Sequence, residues 1–125
     1  MPTSPPIEDA IVARARELGF DHVALLPVDP LPEREAFTQW LAEARHGEMG
    51  FMDKFLRLRL DPAELEPGSL AVVCVLKSYK RPDDLTPAGL RIARYAHGDD
   101  YHDILRARLR QLAAFIHSET GRPVG

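Results

Sequence analysis

"LAVVCVL", residues 70 to 76, is the stretch on which the fold class turns. It is uncharged and rich in β-branched valine, with Pro67-Gly68-Ser69 before it and Lys77 after it. Such a run reads as a strand. Being apolar on both faces of its pleat, it is expected to lie centrally with helices covering both sides. A second short apolar stretch, "HVALLPV" (His22 to Val28), reads as a buried strand broken by Pro27.

Around these two strands the apolar spacing turns helical. Pro5-Pro6 is followed by Ile7, Ile11, Val12, Ala15 and Leu18, with Glu8 and Asp9 in the first turn and Gly19 as a stop. "LPEREAFTQWLAEARHG" sets Phe37, Trp40, Leu41 and Ala44 along one helical face, ended by Gly47. "EMGFMDKFLRLRL" predicts a looser helix or helical turn, and "DPAELEPGS" opens on an Asp-Pro turn and closes on Pro-Gly. Pro82, Pro87 and Gly89 mark a loop, and "LRIARYA" is a candidate strand. Tyr101 to about Thr120 is a long helix with the stripe Tyr101, Leu105, Leu109, Leu112 and Ile116, stopped by Gly121. Leu105, Leu109 and Leu112 are expected to face a sheet containing Val72 to Leu76.

This alternation favours an α/β fold, a mixed sheet covered by helices, in one domain of 125 residues. An α/β unit normally continues into a strand after such a helix, whereas this sequence ends on "GRPVG". The sheet is therefore expected to be incomplete at the C-terminus, with residues 1–125 forming an N-terminal domain truncated after the long helix.

Composition bounds the function. The 45% hydrophobic and 28% charged fractions are ordinary for a soluble domain. No apolar run approaches a membrane span, and the first residues lack the features of a secretory signal. The lone Cys74 permits no internal disulfide and no cysteine-held zinc or cluster, which fits a reducing cytosol. Mid-strand among apolar neighbours, it is expected to be an inert buried thiol. A net charge of −3 argues against a dedicated nucleic-acid binder, although "LKSYKRP" and the Arg106, Arg108, Arg110 series are locally basic.

Two places concentrate chemistry. "ARYAHGDDYHDILRARL" (residues 93 to 109) brings two tyrosines, two histidines and three aspartates to a helix entrance. Asp99 or Asp100 suits the N-cap, which explains one of the aspartates. His97, Asp99 and His102 are metal-ligand types, but their spacing matches no standard zinc pattern, so no metal site is assigned. Tyr95 and Tyr101 suit a core or a site equally. "KSYKR" interleaves Lys77, Tyr79, Lys80 and Arg81 just past a strand end, where ligands of α/β folds sit. That composition can hold phosphate and stack a base; it also suits a solvated basic loop. His46, in "ARHGEMGFM", reads as a satisfied histidine at a helix end ahead of a core-filling methionine pair. Phosphate loops, nucleophile elbows and zinc-protease motifs are absent from the sequence. The residues alone describe a ligand-binding α/β domain with its polar site near residues 77–81 and 94–102.

Three segments in order, "HGEMGFM", "RLDPAELEPGSLAVVCVLKSY" and "ARYAHGDDYHDILRARL", resemble the N-terminal region of epoxyqueuosine reductases. These are cobalamin-dependent iron–sulfur oxidoreductases of queuosine synthesis in tRNA. The resemblance covers most of residues 7–121. It implies removal of an epoxide oxygen from a modified wobble base, with cobalamin as the reactive centre and tRNA as partner, in the cytoplasm. By this resemblance Tyr95, Tyr101 and His102 would form part of a wall facing the corrin ring or substrate. With Arg94 they are the candidate cofactor-binding residues, and Lys77, Tyr79, Lys80 and Arg81, from their composition, the candidate substrate-binding ones. The family's cluster cysteines and its proton-donating aspartate lie past this stretch. No catalytic residue is therefore assigned here, and the 125-residue chain alone is expected to be inactive. The alternatives are a non-catalytic cobalamin- or ligand-binding module, and an RNA-contacting accessory domain using Lys77, Lys80 and Arg81.

Overall fold

In the computed structural model, residues 6–79, 89 and 99–125 are described. The candidate strand "LRIARYA" and the candidate site residues Lys80, Arg81, Arg94 and Tyr95 lie outside them. The described elements run α1 (Ile7–Glu17), β1 (His22–Pro27), α2 (Arg34–Ala42), a 3-10 turn (Gly50–Met52), α3 (Leu56–Leu60), α4 (Pro62–Leu65), β2 (Ala71–Leu76) and α5 (Tyr101–Thr120). The fold is α/β. Its two described strands pair with each other. The Asp21 amide donates to the Leu76 carbonyl at 2.9 Å, which sets the start of β1 beside the end of β2 in the antiparallel sense. The chain divides into two compact units, Met1–Ala24 with Cys74–Gly125, and Leu25–Val73.

The first unit holds the buried core of the described residues: Ile11 and Ala15 from α1, Phe20 after it, and Leu112 from α5. Helix α1 ends as its sequence dictates. Gly19 takes φ +92°, its amide donates to the Arg16 carbonyl, and the Phe20 amide donates to that of Ala15. This double bond pattern satisfies carbonyls the helix leaves open and turns Phe20 into the core. Helix α5 opens on Asp100, whose carboxylate accepts from the His102 amide at 2.9 Å. It closes on Gly121 at φ +67°.

Helix α5 packs on α1, and its inward face differs from the expected stripe. Leu112 is buried, and Leu105, Arg108, Phe115 and Ile116 are half-buried, whereas Leu109 is 43% exposed. The expectation that Leu109 faces a sheet is corrected. The true stripe passes through Arg108, a position that a scan for apolar spacing skips. Its guanidinium lies over the α1 terminus, 3.0 Å from where a Cβ on Gly19 would stand, so its stem packs while its charge faces the open carbonyl end. Gly19→Ala therefore meets an unfavourable φ and a guanidinium that must shift. Its expected cost is about 1–2 kcal/mol, read by chemical denaturation; an unchanged midpoint would count against this helix ending.

Strand β2 also departs from expectation. Val72, Val73 and Val75 are half-buried, while Ala71, Cys74 and Leu76 are exposed. A strand covered on both faces, and a buried Cys74, are thus both corrected: an apolar run shows which side chains can be buried, not which face an element covers.

In the second unit Phe37 stacks on Trp40 along α2, with ring centroids 5.8 Å apart. Ala44, expected on that helical face, instead takes φ +54° beyond the helix end. Arg59 then organises the turn ahead of α3. Its guanidinium donates to the carbonyls of Lys54 and Phe51, both at 3.0 Å, beside Phe55 at φ +55° and 74% exposed. Asp61 caps α4 through the Ala63 amide at 3.0 Å, and the Leu31 amide donates to the Leu60 carbonyl at 2.8 Å. No helix among the described residues is long and apolar enough to cross a membrane.

Candidate functional site

The entrance of α5 is built on Asp100. One carboxylate oxygen accepts from the His102 amide and also lies 3.0 Å from His102 Nδ1. Of the two capping candidates, Asp100 is the one used. The His102 amide, then the His102 imidazole, hold the Asp100 carboxyl below its ordinary value, with Arg106 adding to the effect and slight burial opposing it. Tyr101 stacks on His102 at a centroid separation of 4.1 Å and an interplanar angle of 27°. Both rings are exposed. Tyr101 and His102, two of the four residues expected on a cofactor side, therefore form one unit, a pair of flat rings on a capped helix start; Arg94 and Tyr95 lie outside the described residues.

That pairing has a chemical consequence. An ionised carboxylate only accepts, so the hydrogen in its bond to His102 belongs to Nδ1. Nε2 is then the ring nitrogen left to meet a ligand, an acceptor in the neutral ring and a donor in the charged one.

At the end of β2, Lys77 and Tyr79 are described, while Lys80 and Arg81 are not. Tyr79 is exposed. Lys77 lies 3.6 Å from an Asp21 carboxylate oxygen, and the Ser78 amide donates to the same oxygen at 2.6 Å. The Ser78 amide first, then the Lys77 ammonium and His22, hold the Asp21 carboxyl below its ordinary value against slight burial. No motif singles out Asp21. Its partner is 57 residues away, and only the strand pairing reveals it. Among the described residues, no hydrogen bond, ion pair or ring contact joins Lys77 or Tyr79 to Tyr101 or His102.

Elsewhere, His46 lies against Trp40 with centroids 5.8 Å apart, and its Nδ1 is buried with no partner among the described residues. It is therefore not the satisfied histidine that its place at a helix end suggested. A groove of 430 Å³ in the second unit is lined by Arg34, Glu35, Thr38, Gln39, Ala42 and Leu60, none of them a candidate residue. Among the described residues no three His, Cys, Asp or Glu side chains are placed to hold a metal ion; His97 lies outside them.

Comparison with known proteins places these residues in context. The family described as "Epoxyqueuosine reductase QueG, DUF1730" matches residues 59–125, which contain both β2 and α5. An epoxyqueuosine reductase of Pseudomonas aeruginosa is 40% identical over 129 aligned positions, covering 94% of this chain and 36% of that protein. Those of Vibrio cholerae and Xanthomonas campestris are 37% and 39% identical, each match covering 86% of this chain, and 31% and 32% of the relative. The chain thus spans about a third of the length of these relatives. No solved structure matches it. With more than half its length matched by the family model and a relative 40% identical across 94% of it, the chain belongs to the epoxyqueuosine reductase QueG, DUF1730 family.

Proposed function

We propose that this chain is the N-terminal part of a cytoplasmic epoxyqueuosine reductase, which converts epoxyqueuosine to queuosine at the wobble position of tRNA. The observation that carries this reading is the family match across residues 59–125, which takes in the Tyr101–His102 ring pair and its Asp100 cap. Cobalamin, when bound, supplies the two-electron reduction that opens the epoxide. The exposed rings of Tyr101 and His102 would help to hold such a group, with His102 Nε2 offering a polar contact. Arg94 and Tyr95, outside the described residues, are assigned to it in the same reading. Lys77, Tyr79, Lys80 and Arg81 take the tRNA side, where a ring among cations suits an unstacked base and its phosphates.

Electron delivery by iron–sulfur clusters requires cysteines that this chain lacks, since Cys74 is its one thiol and a cluster takes about four. No proton-donating carboxylic acid is assigned here either. The test is complementation. A strain without epoxyqueuosine reductase receives either the full-length protein carrying this segment or the 125-residue chain alone. Nucleosides of its tRNA are then resolved by mass spectrometry. Queuosine is expected to return with the full-length protein only. Persistent epoxyqueuosine in both arms would reject the reading.

A further inference from the structure

The strip that follows β2 is fastened by a residue outside both proposed contact sets. Asp21 stands immediately before β1, and its backbone amide donates to the Leu76 carbonyl at 2.9 Å. One oxygen of its carboxylate accepts from the Ser78 amide at 2.6 Å and lies 3.6 Å from Lys77 Nζ. A single side chain and its own backbone thus hold three consecutive residues as the chain leaves the sheet. The short bond to Ser78 has an ionised acceptor, which makes it stronger than a neutral pair of the same geometry.

The arrangement divides the roles of the strip. The Lys77 ammonium is drawn toward a carboxylate and is only 36% exposed, while the next side chain beyond Ser78, Tyr79, is 63% exposed. A large ring left in solvent on a fastened backbone is presented at little cost in ordering when a ligand arrives. Aromatic rings of this kind take unstacked bases face to face.

We propose that Asp21 is a positioning residue: it holds Lys77 and Ser78 so that the Tyr79 ring is presented as a stacking surface for an unpaired nucleobase, with the Lys77 ammonium kept beside it by the same carboxylate. The proposal rests on the functional reading above, and names a determinant of its RNA side. Asp21 acts through Tyr79, so removing either disables the same contact.

The test measures affinity of the full-length protein for an RNA hairpin with an unpaired loop and guanine at the wobble position. Tyr79→Ala is expected to weaken binding about five- to hundredfold, the range of one base–ring stack. Asp21→Ala is expected to fall in the same range, and the double variant to be no weaker than Tyr79→Ala alone. Asp21→Asn keeps an acceptor for the Ser78 amide and should recover most of the loss, while Lys77→Ala should change affinity less than Tyr79→Ala. Circular dichroism confirms folding of each variant, and the Ser78 amide resonance reports the latch directly. Wild-type affinity in Asp21→Ala, or losses that add in the double variant, would overturn the proposal while leaving the functional reading intact. Failure of the wild-type protein to bind the hairpin would overturn the RNA side of that reading together with the proposal.

Discussion

Leu112→Ala is expected to lower the unfolding free energy by about 2–5 kcal/mol, the range for emptying a large buried aliphatic site. Leu112 is 3% exposed, and the other buried side chains of the described residues are Ile11, Ala15 and Phe20. Leu109→Ala, three residues earlier on the same helix, should cost less than about 1 kcal/mol because that side chain is 43% exposed. Paired urea titrations of the two variants check the contrast. Equal shifts in midpoint would mean that α5 is rotated from the orientation described, and a negligible effect at Leu112 would mean that α5 does not dock on α1.

On the function proposed above, Tyr101→Ala and His102→Ala in the full-length protein are expected to lower turnover on epoxyqueuosine-containing tRNA by about tenfold or more, a barrier increase of about 1.4 kcal/mol. Their rings form one stacked unit at 4.1 Å, and Asp100 fixes the orientation of His102 through its Nδ1. His46→Ala and His117→Ala serve as comparisons and should stay close to wild type. His117 lies in the last turn of α5, where its Nδ1 contacts the Arg122 carbonyl at 2.7 Å, a helix-ending role. His46 lies against Trp40 in the second unit. Cofactor content by absorbance, measured beside turnover, separates lost binding from slowed chemistry. Near wild-type turnover in all four variants would reduce the Tyr101–His102 pair to a helix cap with two exposed rings.

What could be read from the sequence was what neighbouring residues decide among themselves. Gly19 and Gly121 mark helix ends because a left-handed residue is needed there, and Asp100 marks a start because its carboxylate reaches an amide two positions on. The strand character of Ala71–Leu76 follows from its valines. The misses share a different cause. Leu109 was expected inward, and Cys74 buried, because both sit among apolar neighbours; which face is covered depends on an element far away in the chain. Arg108 was passed over because periodicity scans count it as polar, although its stem packs. Of the candidate site, what neighbouring residues decide was legible: Tyr101 and His102 stand together because they are adjacent at a helix start, whereas Asp21 meets its partner 57 residues away and carries no local signature.

Cys74 has a practical meaning that follows from its exposure on β2. Within these 125 residues it is the one thiol, and it faces solvent, so a maleimide dye or a nitroxide on this segment sits at a single known position. Its β2 neighbours run on to Leu76, Lys77 and Ser78, so a probe there sits a few residues from the Asp21 latch. Changes in fluorescence or spin mobility on adding RNA then report on that end of the strand within this segment, and the label itself becomes an instrument for watching the strip move.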